Sequence, residues 1–147
     1  MVSNQTVVSR GILSYDEMIT LNSFILEQIK KQNPKAVFDE LSFSPFHPKA
    51  SVEAYRKESD CRKPRSGMFL KAAEKHSIDF KKSYVIGDRL TDVYAGKSVG
   101  CQAILLLTGA ENEPLIESNL ELNPEWLKPD YKFSSLFEAV NFIKDQQ

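Results

Sequence analysis

The segment from Ser83 to Leu107 constrains the fold most, because it has the pattern of a strand, a helix and a second strand in direct succession. Ser83–Ile86 is a short apolar run that ends at a glycine, as a buried parallel strand does. A helix is predicted over Asp92–Val99, and Gln102–Leu107 forms the next strand. This pattern predicts an α/β fold in which helices cover both faces of a parallel sheet.

A long amphipathic helix is predicted over about Tyr15–Lys31. Ser14 and Glu17 have the spacing of a capping box, and apolar residues follow at intervals of three and four, namely Met18, Leu21, Ile25 and Ile29. The helix should end near Asn33-Pro34, since proline lacks an N–H donor and restricts the residue before it.

Other segments complete this outline. Val37–Phe43 is predicted as a strand and Ser42–Asp60 as a long surface loop, because the latter has no sustained period. Gly67–His76 is predicted as a helix, and Glu111–Pro129 is a polar, proline-interrupted stretch. Ser135–Lys144 should be a terminal helix over one side of the sheet, with one apolar face formed by Leu136, Val140 and Ile143. A single domain over residues 1–147 is expected.

Composition and charge argue against several classes of partner. The 19 Lys and Arg residues are balanced by 20 Asp and Glu residues, so no basic field exists to gather nucleic acid. The longest apolar run, Ala103–Leu107, is far shorter than the roughly 20 residues that cross a bilayer, so no membrane partner is expected. Two cysteines, Cys61 and Cys101, and no signal-peptide pattern favour a reducing cytoplasm.

Two carboxylates follow the predicted strand Ser83–Ile86. Asp88 leaves the strand after Gly87, and Asp92 lies near the start of the next helix. Carboxylate oxygens at the end of a strand are the ligands that Mg²⁺ prefers. The alternative is that Asp88 is a turn residue and Asp92 a helix cap, which their residue types also favour.

Two further segments carry groups that suit phosphate. Arg62 and Lys63 precede a proline; arginine offers phosphate a bidentate fork and lysine a compact point charge. The alternative is a solvated pair of surface cations. Near the N-terminus, Ser3, Asn4 and Gln5 open from a predicted strand end, where a hydroxyl and backbone N–H groups can hold phosphate.

Taken in order, these segments resemble one family. The sequence contains Ser3-Asn4-Gln5, then Cys61-Arg-Lys-Pro-x-x-Gly-Met68, then Ile86-Gly-Asp-Arg-x-x-Asp-x-x-Ala-Gly96. This order resembles the haloacid-dehalogenase (HAD) superfamily of phosphatases, more narrowly the branch of D-glycero-D-manno-heptose 1,7-bisphosphate phosphatase and histidinol phosphatase. The resemblance covers Val2 to about Gly109, with a looser match over Asp130–Phe142.

The resemblance implies a role for each matched residue. Ser3 would contact the transferring phosphoryl group, Lys63 would neutralise its charge, and Asp88 with Asp92 would bind Mg²⁺. Arg62 would contact a second, non-reacting part of the substrate, and Asn4 and Gln5 would also be substrate-binding. Phosphoryl transfer depends mainly on alignment and charge neutralisation, which these groups supply.

The family's nucleophile motif, Asp-x-Asp-Gly-Thr, does not occur here, and no Asp-x-Asp is present anywhere in the 147 residues. Since Ser3 matches the second motif, the first would lie upstream of Met1. In the HAD fold that first strand is central, between the strands ending at Ser3 and Asp88, so the sheet would have open edges that favour self-association. Little or no turnover by this chain alone is expected.

Zinc is not expected. Many members of this branch bind zinc through a Cys-x-His and a Cys-x-Cys pair beside the long loop, and the matching positions here are Ser44, Phe46, Ser59 and Cys61. A structural zinc site needs four Cys or His ligands, and Cys61 alone qualifies.

The resemblance therefore implies a Mg²⁺-dependent phosphatase acting on a sugar bisphosphate of the heptose 1,7-bisphosphate type used in bacterial surface polysaccharides. The alternative is a non-catalytic HAD-like domain that binds a phosphate ligand or a protein partner. A flavodoxin-like or receiver-type module would share the Asp residues near strand ends but would not explain Arg62-Lys63 or Ser3-Asn4-Gln5.

Overall fold

The computed structural model describes residues 1–110, 115 and 121–146. The chain divides into two compact units, Met1–Arg62 and Lys63–Gln147, and the single domain predicted over the whole chain stays a prediction. Residues 111–114 and 116–120 of the segment Glu111–Pro129 lie outside the described residues; its described part contains a short 3-10 helix, Pro124–Leu127. Within the described residues, no helix combines the length and apolar character that bilayer crossing requires.

The first unit contains a two-stranded parallel sheet and one long helix. The elements, in chain order, are β1 (Val2–Asn4), α1 (Thr6–Ser9), α2 (Tyr15–Gln32), β2 (Ser42–Ser44) and a 3-10 turn at Glu53–Tyr55. The capping box predicted for α2 is confirmed: the Ser14 hydroxyl accepts a bond from the Glu17 N–H, and the Glu17 carboxylate accepts one from the Ser14 N–H.

The strand predicted over Val37–Phe43 is wrong in its extent. β2 begins only at Ser42, and Val37 is 77% exposed. The reason is the partner strand, since β1 has three residues and pairs Val2 with Ser42 and Asn4 with Ser44. A parallel strand extends only as far as a neighbour supplies hydrogen bonds, so the apolar residues before Ser42 have no ladder to join.

The second unit contains a three-stranded parallel sheet in the order β3-β4-β5. The predicted strand–helix–strand pattern is confirmed, and the helix predicted over Gly67–His76 has those bounds in the structure. The elements in chain order are α3 (Gly67–His76), a 3-10 turn (Phe80–Lys82), β3 (Tyr84–Gly87), α4 (Leu90–Ser98), β4 (Gln102–Leu106), β5 (Tyr131–Phe133) and α5 (Leu136–Asp145).

Both faces of this sheet are covered by helices, as predicted. Ala103 and Leu105 of β4 pack with Val93 of α4. Ile104 points to the opposite face, because side chains alternate along a strand, and it is fully buried. Its neighbour in register is Tyr131, whose ring packs 4.4 Å from that of Phe142 on α5.

The terminal helix differs from its prediction in which residues it buries. Leu136 and Val140 are exposed, at 55% and 36%, whereas Ala139 is fully buried and Phe142 contacts the rings of β5. The strand β5 itself was not predicted, because three residues of the pattern Tyr-Lys-Phe are too short for a periodic signal.

Asp130, the residue before β5, connects this strand to β4 through its side chain. Its Oδ2 accepts a 2.7 Å bond from the Ala103 N–H, and its Oδ1 lies 2.5 Å from Lys97 Nζ. Partial burial raises the pKa of Asp130, but the bonds from Lys97 and Ala103 outweigh burial and hold this pKa below its ordinary value.

We expect Asp130 to make the stability of the second unit fall in acid. Because its pKa is lower in the folded state, its contribution is present above the unfolded value of about 3.9 and is lost as pH falls through the folded value. Asp130→Asn should therefore be less stable than the parent at neutral pH, and the difference should shrink as the pH falls from neutral through the folded pKa of Asp130. Urea unfolding across this range measures it, with Asp145→Asn at an exposed carboxylate as the control. If the difference in stability between the parent and Asp130→Asn did not change with pH, the lowered pKa of Asp130 would not be its cause.

Candidate functional site

Gly87 and Asp88 mark the carboxyl end of β3, and α4 starts two residues later, so both predicted carboxylates lie at one end of this strand. A Cβ at Gly87 would clash with the Cβ of Asp92 and would lie 2.5 Å from its Cγ. Only glycine leaves room there for the Asp92 side chain. The turn after β3 thus requires a glycine for steric reasons.

Lys63 and Asp92 form a buried ion pair. Lys63 Nζ lies 2.5 Å from Asp92 Oδ1, and each residue is only 7% exposed. The second carboxylate oxygen, Oδ2, accepts a 3.2 Å bond from the Arg89 N–H at the start of α4. Because this bond closes the first turn of α4, one carboxylate both positions the lysine charge and caps the helix.

Asp88 differs from Asp92 in its surroundings. Its carboxylate is half-buried, and within the part of the chain that the structure describes no group bonds to it. It therefore fits a hard cation as an oxygen ligand, whereas Asp92 has both oxygens engaged by protein groups. Among residues 1–110, 115 and 121–146, no cluster of three or more Asp, Glu, His or Cys side chains is arranged to hold a metal.

The other predicted site residues lie in the first unit. Ser3 and Asn4 belong to β1, and Gln5 follows at its carboxyl end. The Ser3 hydroxyl accepts a 3.0 Å bond from the Gln5 side-chain amide, and the Gln5 backbone N–H donates to the Ser44 carbonyl. The N–H of Gln5 is therefore already bonded, and the Ser3 hydroxyl remains the group at this strand end that suits phosphate.

Arg62 donates from Nη1 to the Phe46 carbonyl at 3.1 Å and so contacts the long loop. At the positions where zinc ligands were considered, Phe46 packs against the Tyr55 ring, 6.2 Å away, and lies under Lys57 Nζ at 4.4 Å. The Ser59 hydroxyl accepts a bond from the Cys61 N–H. Aromatic and polar contacts thus hold this part of the loop, and the absence of zinc stays a prediction.

Sequence reasoning missed two features of this site. Lys63 and Asp92 were assigned separate roles, because 29 positions separate them and no local period connects them. The steric need for Gly87 was also not foreseen, although a glycine directly before Asp88-x-x-x-Asp92 is the signal that a side chain must return towards the strand end.

Comparison with known proteins identifies the family of the chain. A HAD-hydrolase-like family model matches residues 60–139. The D-glycero-beta-D-manno-heptose-1,7-bisphosphate 7-phosphatase of Escherichia coli O6:H1 is 33% identical over 149 residues, covering all of this chain and 72% of the relative. The enzyme of the same name from Rhodopseudomonas palustris is 35% identical over 100 residues, covering 68% of this chain and 54% of the relative.

Two solved structures are also similar. A HAD-like phosphatase from Mesorhizobium loti superposes with a TM-score of 0.66 at 26% identity, covering 76% of this chain and 53% of that one. The D,D-heptose 1,7-bisphosphate phosphatase from B. bronchiseptica, complexed with magnesium and phosphate, has a TM-score of 0.75 at 20% identity and covers 99% and 73%; at this identity the likeness concerns the fold. With the family model matching over half its length and a relative matching all of it, the chain belongs to the HAD-like hydrolases and is a phosphatase of that family.

Proposed function

We propose that the chain supplies the phosphate-binding and Mg²⁺-binding groups of a phosphatase for a sugar bisphosphate of the D-glycero-D-manno-heptose 1,7-bisphosphate type. The observation that carries this proposal is the buried Lys63–Asp92 pair near the carboxylate of Asp88, which has no bonded partner among the described residues. The names of the relatives from E. coli and R. palustris support the substrate class.

Lys63 would neutralise charge on the transferring phosphoryl group. Its stem is buried and its Nζ is held by Asp92, so the ammonium needs little reorganisation when phosphate arrives. A charge placed in advance in a region of low dielectric stabilises a developing oxyanion more than a mobile surface lysine does.

Asp88 would be a ligand of Mg²⁺, which when bound offsets phosphate charge and aligns the phosphoryl oxygens. A single protein carboxylate is sufficient as a ligand for such a site, because Mg²⁺ keeps several water ligands and takes other oxygen ligands from the phosphate. We propose that Asp92 acts mainly through Lys63 and the start of α4, because both of its oxygens already accept protein bonds.

We further propose that Ser3 contacts the phosphoryl group through its hydroxyl, with Asn4 and Gln5 shaping that strand end. Arg62 would contact the part of the sugar phosphate that does not react, as the resemblance implies. A cytoplasmic location is also a proposal, which two cysteines without a disulfide support.

The second candidate function is a non-catalytic HAD-like domain that binds phosphate or a protein partner. It is favoured by one observation, the absence of any Asp-x-Asp among the 147 residues, because the family's reaction needs an aspartate nucleophile. If this domain binds phosphate, it would use Ser3, Lys63 and, through a bound cation, Asp88, as the first candidate does. The two candidates then differ in whether the phosphate ester is cleaved.

The test is Mg²⁺-dependent phosphate release from heptose 1,7-bisphosphate and from histidinol phosphate. We expect little or no release by the 147-residue chain and clear release by a form extended upstream to include an Asp-x-Asp strand. In the extended form, Asp88→Asn should abolish release while changing stability by less than about 0.5 kcal/mol, since no described group bonds to its carboxylate.

The outcomes separate the candidates. If neither the 147-residue chain nor the extended form released phosphate but both still bound it, the result would favour the non-catalytic domain. Turnover by the 147-residue chain would mean that another residue serves as nucleophile. Full activity of Asp88→Asn would remove Asp88 from the metal site.

A further inference from the structure

The loop that follows β2 in the first unit is rich in cations, and most of them are engaged with the loop itself. Arg56 donates from Nε to the Ala50 carbonyl at 2.7 Å and from Nη2 to the Ser51 carbonyl at 3.2 Å. Lys57 lies over the Phe46 ring. These contacts are structural, because they satisfy loop carbonyls and cover an aromatic face.

Arg10 and Lys49 are different. Both side chains are exposed, and neither has a bonded partner among the described residues. Backbone bonds bring their segments to the same loop: the Val52 N–H donates to the carbonyl of Ser9, the neighbour of Arg10, and the Lys49 N–H donates to Nδ1 of His47 at 3.0 Å. Two cations are thus held in one region without an anion bonded to them.

His47 lies among these cations. Partial burial lowers the pKa of its imidazole, and the charges of Arg62, Arg10 and Lys49 lower this pKa further, while Glu58 alone acts in the opposite direction. Because Nδ1 accepts the Lys49 N–H, the neutral ring carries its proton on Nε2, which can donate to a ligand. Cations that repel one another around a neutral donor form a region that an anion would stabilise.

We propose that Arg10, His47 and Lys49 form a binding site for a phosphate dianion, either inorganic phosphate or the phosphate group of a sugar 1-phosphate. Arg10 would offer a two-pronged guanidinium contact, Lys49 a point charge and His47 an N–H donor. The choice of phosphate as the anion rests on the proposed function. None of the three residues was singled out by the motifs in the sequence.

The test follows the two imidazoles of the full chain by NMR, since His47 and His76 are its only histidines. Inorganic phosphate and glucose 1-phosphate are titrated separately, without Mg²⁺ and against sodium chloride at equal ionic strength. We expect a saturable shift of the His47 resonances, with His76 unaffected. Arg10→Gln/Lys49→Gln should weaken binding roughly tenfold or more, because both cations are removed.

The matched control is Lys30→Gln/Lys31→Gln, which removes the same charge from the exposed last turn of α2 and should bind like the parent. A response to both ligands assigns the site to a sugar phosphate, and a response to inorganic phosphate alone assigns it to free phosphate. Absence of a saturable His47 shift, or an unchanged affinity in the Arg10/Lys49 variant, would overturn the proposal. Asp88→Asn should leave this binding intact, so failure of the phosphatase assay is a separate result.

Discussion

Replacing Asp92 by alanine should lower the free energy of unfolding of the second unit by about 3–5 kcal/mol, the range for removing one partner of a buried ion pair. The Lys63 ammonium, which is only 7% exposed, would then lose the carboxylate charge that lies 2.5 Å from it. The substitution also removes the acceptor for the Arg89 N–H, so the first turn of α4 loses its side-chain cap. Urea unfolding monitored by circular dichroism measures the change.

Two variants separate the contributions of Asp92. Asp92→Asn retains an acceptor for the Arg89 N–H but loses the charge, so it should cost less than the alanine variant. Lys63→Met combined with Asp92→Asn should cost less than the sum of the single changes, because the double variant removes both charges of the pair. Lys97→Met at the partly exposed Lys97–Asp130 pair is the control and should cost about 1 kcal/mol or less. If Asp92→Ala lowered the free energy of unfolding by no more than Lys97→Met does, the buried pair would not be an important source of stability.

Gly87→Ala should destabilise the second unit by about 3 kcal/mol, a large value for one added methyl group. The new Cβ would overlap the Cβ of Asp92, which is fixed to the backbone of α4 and cannot rotate away. Either α4 shifts from the end of β3 or the strand end distorts, and both movements separate Asp92 from Lys63. Phosphate binding measured by calorimetry should therefore weaken together with stability.

The matched control is Gly100→Ala. Gly100 has a φ of +90°, and no atom lies within 4 Å of the position that a Cβ would take. Alanine there would cause only backbone strain, which should lower stability by about 1–2 kcal/mol. Phosphate binding should be unchanged in that variant. Adding Asp92→Ala to Gly87→Ala should not restore stability, because the overlap involves Cβ itself. Recovery in the double variant would mean that the carboxylate causes the clash.

The sequence predicted those elements whose signals are local. The capping box at Ser14 and Glu17 and the apolar period that follows it located α2 to within one residue, and an apolar run ending in glycine located β3. The sequence did not predict where β2 begins, because the length of a strand depends on the strand with which it pairs. The strand predicted from Val37 starts at Ser42, because β1 offers three residues for pairing.

The site residues were predicted by motif, and the structure adds how they are connected. Asp88 and Asp92 looked alike in sequence, as two carboxylates four residues apart. In the structure Asp92 bonds to Lys63, 29 positions away, and to the Arg89 N–H, whereas Asp88 has no such bond among the described residues. Pairing across that distance depends on how α4 packs against the strands, which no local pattern encodes.

The carboxylate of Asp92 bonds both to Lys63 and to the Arg89 N–H, and this affects which residues a protein of this family would keep after losing its activity. Lys63 and Asp92 stabilise one another and the helix start, so selection for a folded protein alone would keep both, even in a descendant that no longer cleaves a phosphate ester. Their presence therefore says little about whether catalysis is under selection. Asp88 has no comparable bond in the described part of the chain, so folding alone gives no reason to keep this carboxylate. Its retention is what the proposed Mg²⁺ site would explain.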